Sequence, residues 1–413
     1  MYKTIYIILL LRIHSTVCNN FCEAKGEQCN VNKHRYLLYD VNPPEGFNLR
    51  RDVYMRYAVF IHNLMKSSIP SLTKFKLILP PWTNLYHWKE QKLIQIPWSF
   101  FFDIDSLRKF APVIEMHEFF DEIAPKYTKI KIDEVYVLQH FEDMFKTGIF
   151  EDKMEIQKCN KEIRTNFYYY NNITSDNIKC LSFHGHIIDL QNILKITEAR
   201  TILFDHAEVA LHNDFGNKIY WQARRSMRFN KQLQQLALQF RRKYLNSTDE
   251  SDNTQLPEDW RDENHERAAR GGPYLSVHLR QKDFIVGRPK DVPNLEHAVK
   301  QIKEILHIQG LSIVFIATDA PIKEYEKLKH YLKDFFVYRY TLDENLIDGQ
   351  LAIIDQIICS HARYFVGTHE STFSFRIQEE REIMGFPIET TFNRLCGSDI
   401  NSCHKPSVWK IIY

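Results

Sequence analysis

The sequence predicts an α/β protein of two lobes that face each other across a cleft. Residues 35–79 have the pattern of a strand, a loop, a helix and a second strand, which is how a parallel sheet begins. From residue 271 onward, short apolar runs of strand character alternate with helical patterns. A basic and apolar stretch at 220–244 and an acidic stretch at 246–266 separate the two regions. The length of 413 residues suits two domains or one large one.

The elements of the first region follow from strand-forming runs and from apolar residues at helical spacing. Pro80 and Pro81 stop the second strand, because neither can donate to a sheet ladder. The predicted elements are a strand at 35–41, a helix at 49–64, and strands at 76–79, 134–138, 185–190 and 201–204. One long helix is predicted at 220–244, and the acidic stretch after it is expected to be a solvated linker.

The second region is predicted as a regular alternation of strand and helix. Its first helix is closed by Gly310, and Pro321 opens the next one. The predicted strands lie at 274–279, 312–317, 335–338 and 364–366, and the predicted helices lie at 295–306, after residue 321, at 350–362 and at 371–383.

Charge and glycine content limit the kind of ligand site that the chain can build. Lys and Arg number 54 against 52 Asp and Glu, so a formal charge of +2 provides no global field that would attract nucleic acid. The 13 glycines form no G-x-G-x-x-G, G-x-x-x-x-G-K-[ST] or G-x-S-x-G motif. A bound nucleotide would therefore be held by side chains and helix N-termini.

Residues 1–18 are predicted to be a secretory signal peptide. Lys3 precedes a short apolar run at 5–11, and a polar stretch follows. No later segment approaches 18 consecutive apolar residues, so we expect a soluble lumenal or secreted protein. Asn172 and Asn246 begin N-glycosylation sequons, which suits that compartment.

The eight cysteines suit an oxidising compartment. Cys18 is expected to leave with the signal peptide or to lie at its edge, and Cys359, in an apolar run, is expected to be a buried free thiol. A short polar turn favours one local disulfide and proximity alone favours two more; the candidate pairs are Cys396–Cys403, Cys159–Cys180 and Cys22–Cys29.

Polar residues follow the strand predicted at 274–279, at the point where its apolar run ends. His278, Arg280 and Asp283 lie within six positions there. In open α/β sheets ligands bind beyond the carboxyl ends of the strands, and an arginine offers a fork of donors suited to phosphate oxygens. We therefore predict that Arg280 meets an anionic substrate; the alternative is a surface salt bridge between Arg280 and Asp283.

The loop at 43–48 joins the first predicted strand to the first predicted helix. Two prolines stiffen this loop, and Gly46 allows the backbone to approach a ligand. Glu45, beside Phe47, is a candidate general base. The alternative is a helix-entry turn in which Glu45 interacts favourably with the helix dipole.

A third candidate lies at 367–376, where small hydroxyl residues follow a strand and open a helix. Ser371 and Thr372 would leave N–H groups and the helix dipole pointing at an anion. The alternative is a plain N-cap by either residue. The functional interpretation gains weight because this loop and the one after His278 follow strands of the same lobe.

Two metal-like patterns have simpler interpretations. Asp103 and Asp105 form a D-x-D, but they precede a helical pattern and are interpreted as a helix cap. His184 and His186 could ligate a metal, but no third ligand with suitable spacing is evident. We therefore predict no metal site.

Several long motifs occur in order along the chain. Together they resemble the protein O-fucosyltransferase family, and the likeness runs from about residue 35 to residue 413. The resemblance implies a GT-B fold of two Rossmann-like lobes: residues 19–225 on the acceptor side, a helix and acidic linker at 226–265, and a donor-binding lobe at 266–413. The motifs are Arg35–Asp52, Leu79–Trp82, Ile96–Trp98, His278–Phe284, Gly367–Glu382 and Trp409–Tyr413.

The same resemblance implies roles for individual residues. Glu45 would deprotonate the acceptor hydroxyl, and Arg280 would neutralise the β-phosphate of the leaving GDP. Asp355 would recognise the nucleoside, and Glu380 would hold the site together. Apart from the resemblance, the position of Asp283 three residues after Arg280 suits a role in holding that arginine in place. The other donor-binding candidates are Pro44, Gly46, Phe47, Asn48, His278, Leu279, Thr372 and Phe373.

The chain departs from the family pattern in two places. Gln281 stands where the family usually has a second arginine, and His369 with Glu370 replaces smaller residues beside the phosphate loop. Both changes put the donor affinity in doubt, while Arg280 itself is unchanged.

The implied activity is inverting, metal-independent transfer of fucose from GDP-fucose to Ser or Thr of folded thrombospondin type 1 repeats in the lumen of the endoplasmic reticulum. No cofactor, nucleic acid or membrane span is expected, and the enzyme is expected to be a monomer. Two alternatives stay open, an enzyme acting on EGF-like repeats and a non-catalytic secreted sugar-binding or chaperone-like module. The presence of both Glu45 and Arg280 argues against the second alternative.

Overall fold

Two mostly parallel β-sheets organise the computed structural model of the chain. It describes residues 34–83, 85, 88, 95–123, 129–159, 163–263, 266–341, 345–397 and 403–413. The predicted signal peptide at 1–18 and the cysteines Cys18, Cys22 and Cys29 lie outside these residues.

The described residues form 13 strands, of which eight match predicted runs. In chain order they are β1 Arg35–Tyr39, β2 Phe75–Leu79, β3 Val113–Glu115, β4 Ile130–Lys131, β5 Glu134–Gln139, β6 Lys153–Gln157, β7 Ile173–Thr174, β8 Ile178–His184, β9 Thr201–Asp205, β10 Gly272–Leu279, β11 Ile313–Thr318, β12 Phe336–Tyr338 and β13 Ala362–Val366.

The α-helices lie between these strands and after them. In chain order they are α1 Phe47–Leu64, α2 Ile104–Arg108, α3 Met116–Ile123, α4 Met144–Thr147, α5 Gln191–Ile196, α6 Lys218–Ser226, α7 Lys231–Tyr244, α8 Asp249–Asp252, α9 Lys282–Gly287, α10 Leu295–Gln309, α11 Ile322–Tyr331, α12 Asp348–Ser360 and α13 Thr372–Ile383.

The first sheet contains seven strands in the order β3-β2-β1-β9-β5-β8-β6, and the β6–β8 pair is antiparallel. Strand β1 pairs in parallel with β9, while β2 and β3 continue the sheet on the other side of β1. The strand order therefore reverses at β1. A loop that follows a strand at such a switch point opens into a crevice where ligands bind.

The second sheet contains four parallel strands in the order β12-β11-β10-β13. Here β10 is the switch point, because β11 and β12 lie on one side of it and β13 lies on the other. Both sheets thus place the carboxyl end of their first strand, β1 or β10, at the position where a ligand crevice is expected.

A buried ionic cluster joins the two halves of the chain. Arg376 of α13 contacts Glu379 at 2.9 Å and Asp52 of α1 at 3.8 Å, and Arg224 of α6 contacts Glu379 at 2.5 Å. Burial alone would raise the pKa of Asp52, but a hydrogen bond with His212 and nearby arginine charges hold it below the usual range. Residues 36–413 form one compact unit. The lobe boundaries at 225 and 265 stay predictions.

The strand predicted at 185–190 is wrong. Strand β8 ends at His184, and Ile187–Leu190 forms a 3-10 helix. The Asp189 carboxylate accepts a hydrogen bond from the His186 backbone N–H at 3.0 Å, which caps this turn. Local capping by Asp189 therefore outweighs the strand preference of the isoleucines.

The long helix predicted at 220–244 is two helices, α6 and α7, separated at 227–230. Asn230 starts α7 by accepting from the Gln232 N–H at 2.8 Å, and its side chain donates to the Ser99 carbonyl at 2.7 Å. Phe229 forms an isolated antiparallel β-bridge with Phe102 next to this contact. Contacts with a distant loop therefore break the helix.

The acidic stretch after α7 packs against the protein where the structure describes it, although a solvated linker was expected. Asp252 pairs with Arg241 of α7 at 3.0 Å, and Glu263 pairs with Arg228 at 2.5 Å. Trp260 between them is 4% exposed. Basic residues of α7 and of the segment before it supply the partners that let the acidic residues be buried.

Two of the three candidate disulfides are formed, Cys159–Cys180 and Cys396–Cys403. Cys359 is a buried free thiol, as predicted. Asn172 and Asn246 are exposed. Among the described helices, none is both long and apolar enough to cross a membrane.

Candidate active site

A cleft of about 640 Å³ lies beyond the carboxyl ends of β1 and β10. It brings together residues predicted from four separate segments of the chain. The predicted residues that line it are Gly46, Phe47, Asn48, His278, Arg280, Asp355, Thr372 and Phe373.

The other predicted residues lie around the cleft and do not line it. Pro44 and Glu45 form the turn that enters it at Gly46, and Glu45 is half-buried. Asp283 pairs with Arg280 at 2.7 Å. Two further residues are more remote: the Leu279 side chain packs in the core beneath β10, and Glu380 accepts from Arg224 at 2.6 Å.

The first lobe contributes Phe47 and Asn48 at the start of α1. Phe47 packs on Trp82 with ring centroids 4.7 Å apart. The Asn48 side-chain oxygen accepts from Arg51 at 3.2 Å and from Gln356 of α12 at 2.9 Å. Since both bonds use the amide oxygen, the orientation of Asn48 leaves its NH₂ group as the donor toward a ligand.

Arg280 follows β10 and lies between two carboxylates. Its guanidinium contacts Asp283 at 2.7 Å and Asp319 at 2.9 Å. The backbone N–H of Arg280 donates to the Thr368 hydroxyl at 2.9 Å, and that hydroxyl donates to the His278 carbonyl at 2.7 Å. The salt bridge considered as the alternative is present, and the same arginine lines the cleft.

His278 is held as a neutral imidazole. Burial, with a smaller contribution from the charge of Arg280, lowers its pKa to about 3. Its Nδ1 lies 2.8 Å from the Ser374 hydroxyl, and its ring stacks on Phe373 with centroids 4.3 Å apart. A neutral ring fixed in this way supports a phosphate site without adding a titrating charge at physiological pH.

The loop from β13 to α13 supplies a helix N-terminus to the cleft. Ser371 is the N-cap residue and makes no side-chain hydrogen bond to the helix, and the exposed Thr372 begins α13. The Ser374 hydroxyl accepts from the Thr368 N–H at 3.0 Å. A Cβ at Gly367 would collide with that same hydroxyl, so only glycine allows the loop to pack this closely.

Asp355 lines the cleft from α12 and has an unusual ionisation. Burial raises its pKa to about 7, although the charge of Arg339 opposes the rise. Its Oδ1 has no hydrogen-bond partner among the described residues. A buried carboxylate without a donor suits a ligand that brings N–H groups of its own.

The cleft residues that the sequence analysis missed include Asp319, Arg339 and Trp88. Asp319 follows β11 and Arg339 follows β12, so the rule that located Arg280 at the end of β10 also predicts them. Trp88 lies far from any predicted strand end, and its sequence context offered no indication of its position.

The D-x-D pattern has a structural role. Asp103 caps α2 by accepting from the Ser106 N–H at 3.1 Å, and Asp105 pairs with Arg108 at 3.2 Å. His184 lies 3.4 Å from Asp152. Within the described ranges, no three His, Cys, Asp or Glu side chains come together as a metal site.

Replacing Asp103 by alanine is expected to leave the transferase activity that the sequence implies within about twofold of the wild type, because its carboxylate is used by the helix cap. Loss of the cap should lower the free energy of unfolding by about 1 kcal/mol. Denaturant unfolding and initial rates measure the two effects. A large fall in activity without a fall in stability would show that Asp103 serves the reaction.

Comparison with known proteins identifies what the chain resembles. Residues 36–384 match the family model described as GDP-fucose protein O-fucosyltransferase. The human protein named GDP-fucose protein O-fucosyltransferase 2 is 45% identical, covering 93% of this chain and 91% of its own length. The protein of that name from Caenorhabditis elegans is 43% identical, covering 92% and 90%.

Solved structures agree on the architecture. POFUT1 in complex with GDP matches with a TM-score of 0.56 at 17% identity, covering 88% of this chain and 98% of that one. POFUT1 in complex with GDP-fucose matches with a TM-score of 0.54 at 16% identity, covering 87% and 98%. The predicted GT-B fold is confirmed.

Proposed function

Because the chain belongs to the GDP-fucose protein O-fucosyltransferase family, and is therefore a glycosyltransferase that uses GDP-fucose, we propose an acceptor and a mechanism for it. The acceptors are Ser or Thr hydroxyls of folded thrombospondin type 1 repeats. Transfer inverts the anomeric carbon of fucose and needs no metal ion. The observation that carries the proposal is the placement of Arg280 and the Gly46–Asn48 loop on one cleft.

Departure of GDP is assisted from the second lobe. As the bond between fucose and the β-phosphate breaks, negative charge develops on the phosphate oxygens. Arg280 and the N-terminus of α13 face the cleft where that charge appears. Asp283 and Asp319 fix the plane of the guanidinium, so its donors are oriented before the donor binds.

The attacking hydroxyl is activated from the first lobe. Glu45 lies on the turn that enters the cleft at Gly46, whereas Arg280 and Thr372 line the cleft from the second lobe. In the reaction the acceptor oxygen bonds to the anomeric carbon, its proton passes to the Glu45 carboxylate, and GDP leaves with the bonding electrons. Inversion requires the nucleophile to attack the anomeric carbon opposite the phosphate, and a base carried by the other lobe from Arg280 suits that requirement.

The guanine base is recognised by Asp355, whose ionised oxygens accept from ring and amino N–H groups. Since the pKa of Asp355 is raised to about 7 in the free protein, binding below that pH requires loss of a proton. GDP affinity should therefore rise as the pH increases toward 7 and level off above it. Below pH 7 the dissociation constant should change by up to about tenfold per pH unit.

Calorimetric titration of GDP between pH 5.5 and 8.5 tests this expectation. The Asp355→Asn protein should bind more weakly at pH 8 and show a smaller pH dependence, since a side-chain amide does not titrate in this range and only the terminal phosphate of GDP still does. An unchanged pH profile in this protein would show that another group titrates on binding.

The acceptor assignment rests on the sequence motifs, and an assay separates the alternatives. Purified enzyme with GDP-fucose is offered folded thrombospondin type 1 repeats or folded EGF-like repeats, each with and without EDTA. We expect transfer to the thrombospondin repeats at equal rates in both conditions. Transfer only to EGF-like repeats would refute the acceptor class, and loss of transfer in EDTA would refute the metal-free mechanism.

The compartment proposed for this reaction is the lumen of the endoplasmic reticulum. Support comes from the two disulfides, which persist in oxidising compartments, and from the exposed positions of Asn172 and Asn246. Expression of a tagged chain in cultured cells, followed by glycosidase digestion and organelle markers, tests it. A cytosolic, unglycosylated product would contradict it.

A further inference from the structure

The loop that carries Glu45 is held by one side chain of the helix that follows it. Arg50 of α1 donates from Nε to the Glu45 carbonyl at 3.0 Å and from Nη2 to the Pro43 carbonyl at 3.1 Å. A planar guanidinium can bridge two acceptors in this way because its donors are arranged as a fixed fork. The two contacts bracket Pro44.

Other contacts complete the support of this loop. The Glu45 N–H donates to the Asn42 carbonyl at 3.0 Å, which closes the turn through both prolines. The Asn42 N–H donates to the Glu208 carboxylate at 3.1 Å. Among these contacts, the Arg50 side chain is the one that ties the loop to α1.

Helix α1 provides a rigid base for this connection. Its residues just beyond Arg50 are fully buried, including Val53, Tyr54 and Met55. Burial of Arg50 lowers its pKa, while the charges of Asp40, Glu208 and Glu45 favour the protonated form. The cation is surrounded by acidic groups, and it holds the loop through hydrogen bonds to two backbone carbonyls.

We propose that Arg50 is a positioning residue that fixes the Glu45 carboxylate at the distance from the acceptor hydroxyl that proton transfer requires. This inference rests on the proposed function, in which Glu45 is the general base. Reacting atoms must be held ~3 Å apart, and a displacement of about 1 Å can reduce a rate about 10²-fold. Without the two hydrogen bonds from Arg50, the loop would hold the Glu45 carboxylate less accurately.

The test compares Arg50→Met, Arg50→Lys and a matched control, Arg108→Met. Arg108 also donates to a backbone carbonyl, that of Val113 at 3.3 Å, and pairs with carboxylates away from the cleft. We expect kcat for fucose transfer to fall about 10²-fold in Arg50→Met and about tenfold in Arg50→Lys, because a lysine ammonium cannot bridge both carbonyls in the same plane. The KM for GDP-fucose should stay within about threefold of the wild type, since Arg280 and Asp355 are untouched, and Arg108→Met should match the wild type.

Amide hydrogen exchange gives a second readout that does not depend on activity. The N–H groups of Glu45 and Gly46 should exchange faster in Arg50→Met than in the wild type, while the amides of β10 should be unchanged. If the wild type transferred no fucose, the proposed function would fail, whereas hydrogen exchange would still report whether Arg50 holds the loop.

Several results would overturn the inference. One is a wild-type kcat in Arg50→Met, and another is full rescue by Arg50→Lys, which would show that charge alone matters. A third is unchanged exchange at Glu45 and Gly46. A fall in kcat that matches the loss of folded protein, measured by GDP-binding stoichiometry, would also overturn it.

Discussion

Replacing Arg280 by alanine is expected to lower kcat/KM for fucose transfer by about 10³-fold, because the developing charge on the leaving GDP loses its cation. The same change leaves Asp283 and Asp319 facing the phosphate without a cation between them, which adds repulsion. Initial rates at several GDP-fucose concentrations measure the effect. Both kcat and the apparent affinity for GDP should fall.

Two further proteins define the control. Arg280→Lys keeps the positive charge but loses the planar fork of guanidinium donors, so its rate should lie between those of the wild type and the alanine protein. Arg261→Ala removes an exposed arginine that pairs with Asp259 and should have no effect. Wild-type turnover in Arg280→Ala would refute the phosphate role, and a fall as large in Arg261→Ala would show that the assay reports stability instead.

Replacing Glu45 by glutamine is expected to reduce the rate of transfer by about 10²- to 10⁴-fold while the protein stays folded. Glutamine keeps the shape of the side chain but cannot accept the hydroxyl proton. The side chain is half-buried on a turn that is held through backbone bonds, so its loss should not unfold the loop. Single-turnover transfer to folded acceptor measures the chemical step.

The matched control for Glu45 is Glu258→Gln, which removes an exposed carboxylate paired with Lys231. Its rate should equal that of the wild type. Retention of more than about a tenth of the wild-type rate in Glu45→Gln would assign the base to another group, since general-base catalysis contributes at least about 10²-fold.

Much of this site follows from one rule applied to the sequence. Apolar runs predicted β1 and β10, and the polar residues after them had to lie at the carboxyl edge of a parallel sheet. That rule predicted the positions of Arg280 and of the loop before α1 without knowledge of the strand order. Glu45 was a candidate base from its loop alone, with a helix-entry turn as the alternative, and the family resemblance favoured the first interpretation. The proposed recognition of the nucleoside by Asp355 came from the resemblance only, because that residue has no distinctive spacing.

Other features depended on contacts between distant parts of the chain. The break between α6 and α7 follows from the bond between Asn230 and Ser99, which no local pattern reveals. The acidic stretch was expected to be solvated because it has few apolar residues, and its burial depends on pairing with Arg241 and other basic residues of the preceding helices. The spacing of hydrophobic residues predicts helices and strands well, but it does not predict which charged side chains pair between them.

In the proposed mechanism the roles are divided between the lobes: the first lobe activates the acceptor, and the second lobe holds the leaving nucleotide. Calorimetric titration of GDP into the wild type, Glu45→Gln and Arg280→Ala tests that division most directly. The Glu45→Gln protein is predicted to bind GDP as the wild type does while transferring almost no fucose, and the Arg280→Ala protein is predicted to lose both. Loss of GDP binding in Glu45→Gln, or wild-type GDP binding in Arg280→Ala, would contradict the account.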